Sequence, residues 1–101
     1  MIEPEADTPD DDDKTRFDPT SFVGLVIELG AHAQILLGVI DNPVTKKKEP
    51  VDLPRAKTVI DLLGMLEKKT LGNLTDDEVA FLGRILADLR MRFVQATTSR
   101  Q

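Results

Sequence analysis

A chain of 101 residues, 41% hydrophobic and 31% charged, has the size and composition of one small globular domain. It has no cysteine and one histidine, which excludes disulfide frameworks, cysteine-bound zinc or iron–sulfur sites and thiol nucleophiles. The net charge of -5 is unevenly spread, because residues 1–18 hold eight acidic residues against two basic ones, whereas residues 19–101 sum to +1.

The first 16 residues are rich in Asp and Pro and offer few apolar side chains to a core. Such a segment buries too little surface to offset the entropy lost on ordering. We therefore predict a disordered acidic tail over residues 1–16 and a folded domain over residues 17–97. The tail lacks the basic start and apolar run of a secretory signal, which favours a cytoplasmic location.

The first predicted helix covers about residues 19–40. Asp18-Pro19 suits a helix start, since Asp can cap and Pro is tolerated in the first turn, and Asp41-Asn42-Pro43 would stop the helix. The run SFVGLVIELGAHAQILLGVI is apolar nearly all round, which predicts burial nearly all round. A membrane span is not expected, because Glu28 would lie near its middle.

The second and third predicted helices cover about residues 53–70 and 76–96. Asp52 is a plausible cap, Gly72 suits a left-handed position after the second helix, and Thr75 with Glu78 matches a capping box. The apolar stripes of these helices predict the core that they share: Ala56, Val59, Ile60, Leu63 and Leu66 on the second, and Val79, Leu82, Leu86, Leu89 and Phe93 on the third.

The stretches FVGLVIELGAHAQILLG, VDLPRAKTVIDLLGMLEKKTLGNLTDDE and LADLRMRFV resemble a bacterial family of short proteins catalogued as domain of unknown function 1844. The resemblance covers about residues 17–94. It implies a helical fold and brings no activity, ligand or catalytic residue. Pro54 departs from the family pattern, which tends to have a helix former there.

Catalytic and metal chemistry find little support in these residues. Glu28 and His32 lie four apart on one helical face and could approach one metal ion, but no second histidine or cysteine completes a site. We expect instead that they satisfy each other in the protein interior. Because the other carboxylates fall on predicted solvated faces, we expect no enzyme activity, no metal and no cofactor.

Small residues suggest a self-association surface on the first helix. Gly24, Ala31 and Gly38 repeat every seven positions and would share one strip, on which a second backbone could come close. The predicted surface comprises Gly24, Glu28, Ala31, His32, Ile35 and Gly38. The strip could instead receive the second or third helix of its own chain.

The sequence therefore favours an all-α, non-catalytic interaction protein, a three-helix domain that forms a helical homodimer. The alternative is a nucleic-acid or anionic-surface binding module that uses the C-terminal helix and the polar loop over residues 44–51, which we call the lysine loop. Its cations would be Lys46, Lys47, Lys48, Arg84, Arg90, Arg92 and Arg100. Nucleic-acid binding is the weaker expectation, because the folded part carries so little net positive charge.

Overall fold

Three α-helices form the fold in a computed structural model that describes residues 18–99. They are α1 (Phe22–Leu36), α2 (Leu53–Lys69) and α3 (Asp76–Ser99), and they confirm the predicted all-α, three-helix domain. Within residues 18–99 the only extended pairing is an isolated bridge between Asn42 and Lys47. The predicted tail over residues 1–16, and Arg100, lie outside the described residues.

The first helix begins at Phe22, three residues later than predicted. The Asp18 carboxylate accepts from the Thr20 N–H at 2.8 Å and from the Thr20 hydroxyl at 2.6 Å, which forms a turn instead of a helix cap. Both hydrogen bonds lower the pKa of Asp18, and the bond from the Thr20 hydroxyl has the larger effect. Ser21 is the cap, and its Oγ accepts from the Gly24 N–H at 3.0 Å.

The first helix also ends earlier than the predicted Ile40. Gly38 has a φ of +77° and follows the C-cap Leu37. The Gly38 N–H donates to the Ile35 carbonyl at 3.0 Å, and the Val39 N–H donates to the Gln34 carbonyl at 2.9 Å. This pair of bonds is a Schellman motif, so Gly38 terminates the helix before the chain reaches Asp41-Asn42-Pro43.

The ends of α2 and α3 follow the sequence signals. The Asp52 carboxylate accepts from the Arg55 N–H at 3.1 Å, and Gly72 has a φ of +86°. Thr75 Oγ1 accepts from the Glu78 N–H at 3.1 Å, while Glu78 Oε1 accepts from the Thr75 N–H at 2.9 Å. The predicted capping box and the left-handed glycine are both confirmed.

All three helices contribute to one apolar core. Its buried side chains are Val26, Ala33, Leu36, Leu37, Ala56, Val59, Ile60, Leu63, Leu82, Leu86 and Leu89, and none of the described buried residues is polar or charged. Val79 was predicted to belong to this core but is 54% exposed. It lies in the first turn of α3, at the edge of a shallow apolar cavity of about 270 Å³ beside the turn between α2 and α3.

The connection from α1 to α2 brings the end of one helix to the start of the next. The Asp52 N–H donates to the Leu36 carbonyl at 2.9 Å, which joins the cap of α2 to the last residue of α1. The lysine loop within this connection closes through the Lys46 N–H, which donates to the Asn42 carbonyl at 2.7 Å. Since α1 and α2 also pack against each other, they form an antiparallel helical hairpin.

Candidate interaction surface on the first helix

The helical core covers only one side of the first helix. The buried residues on that side are Val26, Gly30, Ala33 and Leu36, whereas Gly24 is buried on the other side beneath the segment that enters the helix. Helix α3 closes over Gly30, where a Cβ atom would lie 3.4 Å from Ile85 Cγ2. The prediction of burial nearly all round is therefore wrong for a single copy of the chain, because α2 and α3 together leave one side of α1 uncovered.

Apolar side chains occupy much of the uncovered half. Val23, Ile27, Ala31 and Ile35 are partly exposed and follow one another at intervals of four residues. Residues at this spacing form a continuous ridge along a helix. We call these four residues the α1 ridge. Leu25, on another part of the same outer half, is 42% exposed.

At two of the three small residues predicted to form one strip, other parts of the same chain already occupy the space beside the residue. A Cβ atom on Gly24 would lie 2.6 Å from the Asp18 carbonyl oxygen and 2.8 Å from Pro19 Cα. Gly38 lies outside α1, and a Cβ atom there would lie 2.9 Å from Val51 Cγ2. Thus the entering segment covers Gly24, the connection covers Gly38, and only Ala31 of the three lies on the outer half of α1.

Glu28 and His32 are both exposed on α1, so the prediction that they form an interior pair is wrong. No hydrogen bond or ion pair joins the two side chains within the described chain. His32 borders a cleft of about 390 Å³ that is also lined by Glu49, Asp52 and Arg55. Residues of the connection and of α2 therefore share this cleft with His32.

The described residues do not assemble a metal site around this pair. No group of three or more His, Asp or Glu side chains in residues 18–99 is placed to hold a metal ion. Glu28 and His32 consequently have no further protein ligand near enough to share an ion with them, so far as residues 18–99 extend.

The cations of the alternative function are dispersed. Lys48 Nζ lies 3.8 Å from the Asp41 carboxylate, and the Arg92 guanidinium donates to the Asp88 carboxylate at 2.8 Å. Arg84 lies over an aromatic ring of its own helix, 5.9 Å from the ring centre. The two ion pairs reduce the unpaired positive charge that a polyanion could reach.

Two cations that the sequence prediction left out, Lys68 and Lys69, lie beside one that it included, Arg90. Lys68 and Lys69 from the last turn of α2 line one cleft together with Arg90 from α3. Periodicity assigns each of these residues to the outside of its own helix but does not give the register between helices. The sequence feature that could have indicated this register is Gly64 in α2. Because Gly64 has no side chain, Arg90 has room to cross from α3 to α2.

No helix among residues 18–99 combines the length and the apolar character needed to cross a membrane. The most apolar of them, α1, is 15 residues long and carries Glu28 and His32 on its surface.

The fold and its outer surface define a small all-α domain with a partly uncovered apolar helix. A family model described as "Domain of unknown function (DUF1844)" matches residues 19–95, and the chain belongs to this family. The match confirms the resemblance found in the sequence. No curated protein and no solved structure matches the chain.

Proposed function

We propose that this protein is a non-catalytic interaction module that forms a homodimer through the outer half of α1. The observation that carries the proposal is the α1 ridge, a row of apolar side chains left partly in water on the most apolar helix of the domain. Burying such surface against a second copy is favourable by about 25 cal/mol per Å² of apolar area.

The spacing of the ridge suits packing against an identical helix. Ridges of residues four apart fit into the matching grooves of a second helix at a crossing angle of about -50°. A two-fold axis makes such an interface self-complementary, since each copy supplies both the ridge and the groove. Ala31 lies within the ridge, where its small side chain lets the two backbones approach.

Glu28 and His32 would flank this contact. Neither side chain makes an ion pair with another residue of the described range 18–99, which leaves both available to a second copy. In a two-fold arrangement the Glu28 carboxylate of one copy can meet the His32 imidazole of the other, which would orient the two helices. Exposed ion pairs of this kind contribute about 0–1 kcal/mol, so the ridge supplies most of the affinity.

Substitution of Ala31 by arginine tests the proposal. Ala31→Arg places a long charged side chain in the centre of the ridge and should convert the dimer to a monomer with unchanged helical content. Light scattering measures the molar mass and circular dichroism the helicity. Ile35→Lys, one helical turn further, should have the same effect and serves as an independent variant.

Ala87→Arg is the matched control, because Ala87 is an exposed alanine on α3, away from the ridge. The control should remain dimeric. A native-like dimer in both α1 variants would show that the interface lies elsewhere, and loss of the dimer only in Ala87→Arg would assign it to α3.

A further inference from the structure

A cleft between α2 and α3 gathers three cations that have no ionic partner among residues 18–99. We call Lys68, Lys69 and Arg90 the cationic cleft; its volume is about 420 Å³. A Cβ atom on Gly64 would lie 3.2 Å from Arg90 Nη2, so the guanidinium lies directly over the backbone of α2. Arg90 thereby reaches from α3 to the helix that carries the two lysines.

The charge in the cleft is not neutralised by its own walls. None of the three cations forms an ion pair within residues 18–99. Two carboxylates also line the cleft, Asp61 and Glu67, but Asp61 is bonded to the Lys57 ammonium at 2.7 Å. Glu67 is therefore the one unpaired carboxylate beside three unpaired cations in the described lining of the cleft. This excess of positive charge favours an anionic occupant.

The chain itself supplies an anionic segment of suitable composition. Residues 1–17 contain seven carboxylates against Lys14 and Arg16, and four of the carboxylates are contiguous, at Asp10 to Asp13. This segment joins the domain at Asp18, immediately before α1. The cationic cleft and the segment that precedes the domain thus carry opposite charge.

The segment can span a distance comparable with the length of α2. Because the start of α2 is bonded to the end of α1 and the two helices pack together, the last turn of α2 lies toward the start of α1. An extended chain spans about 3.4 Å per residue, which places Asp13 up to about 17 Å and Asp10 up to about 27 Å from Asp18. Helix α2, with 17 residues, is about 26 Å long.

We propose that the acidic segment Asp10–Asp13 docks on the cationic cleft of its own chain. Docking places aspartate carboxylates beside Lys68, Lys69 and Arg90. The attraction acts between exposed charges, so it weakens as salt shortens the Debye length to about 3 Å at 1 M. This proposal is independent of the homodimer on α1, which uses a different surface.

A spin label on the tail of the full-length protein tests the proposal. The chain has no cysteine, so Thr8→Cys provides a single attachment point for a nitroxide. Paramagnetic relaxation enhancement should reduce the amide signals around Lys68, Lys69 and Arg90 at low salt. It should disappear at 1 M NaCl and in the full-length variant K68E/K69E.

Two controls separate docking from general attraction. K46E/K47E makes the same change in net charge on the lysine loop and should retain the relaxation effect at the cleft. Changing Asp10–Asp13 to asparagine should abolish it, whereas E3Q/E5Q/D7N should leave it.

Three results would overturn the proposal. They are relaxation centred on the lysine loop, relaxation at the cleft that persists at 1 M NaCl, and relaxation of unlabelled ¹⁵N protein mixed with spin-labelled ¹⁴N protein. The first places the tail elsewhere, the second excludes charge as the cause, and the third shows that the segment docks on another copy of the chain.

Discussion

Gly24, which lies under the backbone of Asp18 and Pro19 at the start of α1, gives the sharpest stability prediction. In an ordinary helix Gly→Ala stabilises by about 1 kcal/mol, because alanine has the higher helix propensity. At Gly24 the added methyl would lie 2.6 Å from the Asp18 carbonyl oxygen and 2.8 Å from Pro19, both backbone contacts that cannot rotate away. The turn before the helix must therefore move.

The magnitude follows from the bonds in that turn. The Asp18 carbonyl accepts from the Ser21 N–H at 2.9 Å and from the Ser21 hydroxyl at 2.6 Å, and the Ser21 hydroxyl oxygen caps the Gly24 N–H. Each hydrogen bond is worth about 0.5–1.5 kcal/mol. Losing them outweighs the gain in propensity, so Gly24→Ala should destabilise the protein by about 1–3 kcal/mol.

Gly83→Ala is the matched control in the assay. Gly83 lies inside α3, and a Cβ atom there would have no atom within 4 Å. In thermal unfolding Gly83→Ala should raise Tm and Gly24→Ala should lower it, by about 4–8 °C for each kcal/mol. A Gly24→Ala protein as stable as Gly83→Ala would refute the reasoning, and a loss that depended on protein concentration would indicate that Gly24 is an interface residue instead.

Further predictions concern helix ends, the core and one carboxylate. Thr75→Ala should cost about 0.5–2 kcal/mol in denaturant unfolding by removing a cap, and Gly72→Val about 1–2 kcal/mol through its positive φ alone. Leu63→Ala should cost about 2–5 kcal/mol, whereas its exposed neighbour Leu62→Ala should cost less than about 1 kcal/mol in the same assay. An NMR titration of Asp18 should give a pKa below the ordinary 3.8. Since that pKa is depressed on folding, the stability it contributes is present above pH 3.8 and lost as the pH falls through the lower folded value.

Helix number and the core of α2 could be predicted because local signals and periodicity agree there. The cap at Asp52, the left-handed Gly72 and the Thr75–Glu78 capping box each depend on residues within four positions of one another. Such short-range chemistry is readable from the sequence.

Both ends of α1 were predicted less well, because equivalent signals compete there. Asp18 and Ser21 can each cap a helix. The Asp18 carboxylate accepts a hydrogen bond from the Thr20 hydroxyl, and Ser21 is the residue that caps α1. At the other end the apolar run continues past Gly38, and periodicity alone does not show that this glycine takes a positive φ.

The candidate surface depends on tertiary contacts that the sequence does not contain. The seven-residue repeat predicted that Gly24 and Gly38 face a second helix, but a backbone turn occupies the space at Gly24, and Val51 occupies it at Gly38. The cationic cleft likewise requires the register of α3 on α2, which Arg90 and Gly64 show together. Periodicity assigns residues to faces, whereas the pairing of faces is a property of the folded chain.

The molar mass of the full-length protein in solution tests the central claim most directly. One chain has a mass of 11.2 kDa. If the α1 ridge is covered by a second copy, light scattering over a dilution series should give twice that mass at high concentration and approach the single-chain mass only on dilution. A mass of 11.2 kDa at every concentration would contradict the account.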